Sequence, residues 1–206
     1  RNTLLFCILS LFFSSLSAQY TTTNASRVQT DFETNWTSSA FPRLFGSATE
    51  IQRIKTLYNS GDALVKNTVN GIISEANAAL TASIPVWGLD AANLRVSGIH
   101  TISKDFVPEL VISYLITGDE KYAKRAWQVA KVLMTYQDWG VATTSPYKDR
   151  HFLDAGIGAF NAAMLYDGLY SWMNLQQRDS LYNATRKYIF IPAQAQYNGS
   201  ASKTWS

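Results

Sequence analysis

From Phe41 onward, apolar residues return every three or four positions, the period of helices with a buried face. Ser47-Ala48-Thr49-Glu50 has the form of a capping box, and Ile51, Ile54, Leu57 and Tyr58 follow at helical spacing. The pattern predicts a second helix over Asp62–Ala82, with Leu64, Val65, Val69, Ile72, Ile73, Ala76 and Leu80 on its apolar side. Residues 84–97 carry Pro85 and Gly88 and read as a loop or a short extended piece. Helical spacing resumes from Ile99 to Ile116, where Pro108 marks either a kink or the start of a new helix. Gly118-Asp119 ends this element and caps the next, an amphipathic helix over Glu120–Tyr136 with Tyr122, Ala126, Val129, Ala130 and Leu133 on one face. Residues 138–150 read as a loop. His151–Trp172 (HFLDAGIGAFNAAMLYDGLYSW) is long enough for about six helical turns and is apolar on nearly every side. Asn174 and Gln177 then form a second capping box, and a last helix is expected to end near Pro192.

This pattern is all-α. Amphipathic helices alternate with nearly all-apolar ones, and a helix that is apolar all round must be covered all round. Helical hairpins with one outer and one inner member build a two-layer (α/α) toroid. A solenoid of helix pairs would show a fixed repeat, and none is visible.

The first 40 residues change the picture in a different way. Arg1 precedes the apolar run Thr3–Phe13, and small residues follow, the order of a secretory signal peptide. The expected division is a signal peptide over residues 1–18 and a flexible leader rich in Thr, Ser and Asn over 19–40. The helical domain then begins at residue 41. A secreted or periplasmic location follows, with no membrane association after cleavage. The single cysteine, Cys7, lies in the signal, so the mature chain has no disulfide and depends on its core. Hydrophobic residues make up 47% of the 206 and charged residues 16%, which suits a folded domain. Loss of Arg1 takes the formal charge from +3 to +2, no footprint for nucleic acid.

Candidate chemistry gathers on the apolar segment. His151, Asp154, Gly158 and Asn161 share one helical stripe and either open onto a polar-substrate cleft or satisfy one another in the core. On the second reading Asp154 pairs with its neighbours Arg150 and His151. The small residues Ala155, Gly156, Gly158, Ala159, Ala162 and Ala163 read as sites of close helix packing. Among the aromatics, Trp139, Tyr147 and Trp205 lie in loops and are the better candidates for ligand contact. Two histidines, His100 and His151, provide no metal-ligand spacing, and no cofactor motif is present.

Three blocks carry a family resemblance. FPRLFGSATEIQRIK resembles the entry segment of the heparinase II/III-like polysaccharide lyases. LITGDEKYAKRAWQVAKVLM is similar to a helix pair of that family, and DWG followed by HFLDAGIGAFNAAMLYDGLYSWMNLQQR is similar to a third segment. Gly168 departs from the family, whose members carry Trp there. The resemblance implies the N-terminal part of a toroid, with a β-sandwich and the catalytic Tyr and His beyond Ser206. It also implies β-elimination on a uronate-containing anionic polysaccharide, without a cofactor. Cationic and amide groups would neutralise the uronate carboxylate while a base removes the adjacent proton. In residues 1–206 no catalytic residue is expected, and Tyr147, Arg150, His151, Asp154 and Trp205 would line the substrate cleft. An incomplete toroid would also leave apolar faces open. The alternatives are a toroidal glycoside hydrolase, which needs two carboxylates across one bond, and a non-catalytic helical carbohydrate-binding module.

Overall fold

The computed structural model describes residues 41–44, 46–92, 95–140 and 153–197, all within the unit Ala40–Ser206. These residues are helical with turns between, and an isolated antiparallel bridge, Leu89 to Val96, stands where the sequence predicts a loop or a short extended piece. Helix α1 is Ala48–Ser60, α2 is Ala63–Thr81, α3 is Ser97–Asp105, α4 is Val107–Thr117 and α5 is Glu120–Met134. Helix α6 is Leu153–Gly168 and α7 is Leu175–Thr185, followed by a π-helical turn at Arg186–Phe190 and α8 at Ile191–Tyr197.

The caps form as the sequence predicts. Ser47 and Glu50 exchange both bonds of a capping box, as do Asn174 and Gln177, and Asp62 and Asp119 each take one backbone N–H. Pro108 starts a new helix instead of kinking an old one. It sits in the first turn of α4, where its missing N–H would have no intrahelical partner anyway.

Helix packing falls into two rows. The amphipathic helices α2, α5 and α7 contact one another in that order, and α4 and α6 lie side by side beneath them. Helix α4 also packs against α1, α2, α3 and α5, which buries Val107, Leu110, Val111, Ser113 and Ile116. Within the first row, Arg125 of α5 donates from Nε to the Ala79 carbonyl (2.9 Å) and from Nη2 to the Ala82 carbonyl. It thereby satisfies acceptors that the end of α2 leaves unpaired.

Two expectations fail, each for a local reason. The last helix runs through Pro192 to Tyr197 because the π-helical turn just before it widens the spiral where the proline ring would otherwise clash. The apolar segment is helical only to Gly168, and it is not buried all round. Helices α3, α4, α5 and α7 cover three sides of α6, while Leu153, Gly156, Phe160 and Ala163 form an exposed stripe.

The close-packing reading holds for Gly158 and fails for Gly156, which faces open space, and for the exposed Ala163; Gly168, outside that reading, is closely approached as well. A Cβ at Gly168 would overlap Val111 Cγ1 of α4 and come within 3.6 Å of Val111 Cβ. Gly168→Ala is therefore expected to lower stability by about 1–3 kcal/mol. Adding Val111→Ala should recover part of that loss in urea unfolding. Equal midpoints for Gly168→Ala and the parent would refute the close approach.

Candidate functional site

Helix α6 carries a buried carboxylate near each end, about 20 Å apart at 1.5 Å per residue. At its N-terminal end, Asp154 has no exposed side-chain surface. A buried charge of this kind requires partners, and Asp154 has three among the described residues. Arg95 donates from Nη1 to Oδ1 (3.1 Å), the Val96 backbone N–H donates to Oδ2 (2.7 Å), and His100 Nε2 lies 2.6 Å from Oδ1. The partner side chains reach outward, with 33% of Arg95 and 39% of His100 exposed. A buried anion thus holds a guanidinium and an imidazole at the protein surface.

The corner after α5 backs this cluster. Trp139 is fully buried, donates from Nε1 to the Leu133 carbonyl (3.0 Å) and stacks on Tyr188 at 5.1 Å. Tyr188, brought inward by the π-helical turn, donates its hydroxyl to the Tyr136 carbonyl (2.6 Å). The Tyr136 hydroxyl in turn donates to the Pro85 carbonyl (2.7 Å), and burial pushes that phenol up to about 12. Gly140 then lies against the first turn of α6 at Asp154 and Ala155.

At the other end of α6, Asp167 accepts the backbone N–H of Arg43 (2.8 Å) and of Leu44 (2.9 Å). Phe41 stacks on Tyr170 at 3.7 Å and meets Tyr166 edge-on. Arg43 lies over Phe41 and Arg178 over Tyr170, so both rings are covered and neither offers a face to a sugar.

Of the five residues that the resemblance places on the substrate cleft, Asp154 alone is described. Tyr147, Arg150, His151 and Trp205 lie outside the described residues. Asp154 does not open onto a cleft, since both of its oxygens are engaged inside the protein. Gly158 and Asn161 of the same stripe are buried too, and Asn161 Nδ2 donates to the Ile99 carbonyl of α3 (3.2 Å). Trp139 is core, not a ligand platform. Arg95 and His100 are the residues that sequence reasoning missed. The available signal was an Asp on an apolar stripe, which demands a cation from somewhere. Among the described residues, no three His, Cys, Asp or Glu side chains gather as a metal site requires, and no helix is long and apolar enough to cross a membrane.

The chain matches no family model, and no curated protein sequence matches it.

Proposed function

We propose that this chain is part of a secreted polysaccharide lyase of the heparinase II/III-like kind, acting by β-elimination on a uronate-containing anionic polymer. The observation that carries the reading is the junction at the C-terminal end of α6. There, two blocks of the resemblance meet although 124 residues separate them: Phe41–Leu44 is held by Asp167 and Tyr170. The two rows of helices support an arc of an (α/α) toroid, with α4 and α6 inside and α2, α5 and α7 outside. In this reading the outward Arg95 and His100 stand on the cleft side, and the proton-transferring Tyr and His of the family lie beyond the 206 residues. The hydrolase alternative is disfavoured because Asp154, the one carboxylate the sequence places well, is engaged at both oxygens and cannot reach a glycosidic bond.

The test uses the whole gene product on mannuronate, galacturonate and glucuronate polymers. The expected product carries a C4–C5 double bond, seen by its ultraviolet absorbance. New reducing ends without that double bond would replace the lyase reading with the hydrolase. Binding with no cleavage of any polymer would replace it with the binding module.

A further inference from the structure

We propose that Arg95 and His100 together form a binding site for the carboxylate of a uronate residue. The inference rests on the polyuronate reading above and names the groups that would hold the sugar's charge.

The geometry fixes the protonation logic. An ionised carboxylate only accepts hydrogen bonds, so the nitrogen 2.6 Å from Asp154 Oδ1, His100 Nε2, carries the proton. In the neutral imidazole, Nδ1 then holds a lone pair and repels an incoming carboxylate. In the imidazolium, Nδ1–H donates to it. Charge points the same way. Arg95 and Asp154 cancel one another, so the cluster is neutral with a neutral imidazole and carries +1 with an imidazolium. Asp154 is fully buried, whereas more than a third of the His100 side chain is exposed, so the added charge is presented at the surface. Arg95 uses Nη1 on Asp154, and a guanidinium has further N–H groups in the same plane for a second carboxylate.

The described charged groups on the surrounding elements are few. Asp90 and Arg95 precede α3, and Lys104 and Asp105 close it, 3.8 Å from each other. Glu109 stands on α4, its carboxyl raised first by burial and then by Asp105 and Glu75. Asp154 is on α6, and Asp138, at the corner, accepts the Gly140 N–H. Asp154 is the carboxylate bonded to both Arg95 and His100.

The experiment measures binding of a mannuronate tetrasaccharide to the full chain by calorimetry. Maltotetraose serves as the uncharged control. His100→Gln and Arg95→Gln should each weaken binding of the acidic sugar roughly tenfold, the worth of one charge-assisted hydrogen bond. Arg95→Lys, which keeps the charge, covers the case in which Arg95→Gln fails to fold. The chain has two histidines, so His151→Gln serves as the comparison. Binding weakened in His151→Gln and unchanged in His100→Gln overturns the proposal. Equal binding of maltotetraose, or unchanged binding by both Arg95 variants, also overturns it. Binding that depends on Arg95 and His100, in a gene product that makes no unsaturated sugar, keeps this site and removes the lyase. Elimination with an unchanged KM in the same variants does the reverse.

Discussion

Gly140→Ala is expected to be among the most damaging substitutions in the chain. Gly140 has φ +103°, a backbone conformation that L side chains rarely adopt. A Cβ there would also sit 2.8 Å from the Ala155 nitrogen and 3.0 Å from the Asp154 carbonyl carbon, besides meeting Asp154 Cβ. The first two are main-chain atoms in the first turn of α6, so no side chain can rotate away. Backbone strain of about 1–3 kcal/mol and overpacking of about 1–3 kcal/mol together give roughly 2–6 kcal/mol. That is a large part of the total stability of roughly 5–15 kcal/mol typical of a domain. Gly156→Ala is the matched control, because Gly156 is exposed in the same helix with open space around it. It should gain about 0.4–1 kcal/mol. Urea unfolding of both variants checks the pair, and similar midpoints for the two would refute the account.

The second large effect is expected from Asp154→Ala. The substitution strands the Val96 N–H, which is buried and whose bond to Asp154 is 2.7 Å. An unpaired buried donor costs about 1–3 kcal/mol. Removing one partner of a fully buried ion pair costs about 3–5 kcal/mol. Here Arg95 and His100 are partly exposed and can turn to water, which places the expected loss near the lower bound, about 3 kcal/mol. For a chain of this size that is a fall in Tm of roughly 6–12 °C. Arg95→Ala leaves the buried Asp154 carboxylate with His100 and the Val96 N–H, so it should also destabilise, by about 1–3 kcal/mol. Thermal unfolding of both variants is the readout. If Asp154→Ala melts with the parent, the cluster is a surface contact and does not anchor α6.

What the sequence made legible was local. Both capping boxes, the Asp119 cap and the buried face of α5 follow from residues within one or two turns of each other, where spacing alone decides which groups meet. The unforeseen features come from contacts that spacing does not encode. The charge of Asp154 suggested a partner among its neighbours Arg150 and His151. The cation in the structure comes from Arg95, 59 residues earlier, because α3 packs on the Asp154 side of α6. Asp167 carried no expectation, and nothing near it in sequence pointed to the amides of Arg43 and Leu44. Pro192 was read by its usual helix-ending habit, and the π-helical turn that accommodates it has no signature in the apolar pattern. The expectation for α6 failed differently: an apolar surface shows what a helix can bury, while the number of neighbours decides what it does bury.

The two carboxylates of α6 also set an order of events. During synthesis the amides of Arg43 and Leu44 appear 124 and 123 residues before the aspartate that receives them. At ribosomal speed the interval is roughly 6–25 s. Short turns join α1 to α2 and α4 to α5, so each of these pairs can form in that time. The entry segment at Phe41 and the Arg95–His100 face cannot settle until α6 has emerged. Until then each waits for its carboxylate, the entry segment for Asp167 and the Arg95–His100 face for Asp154.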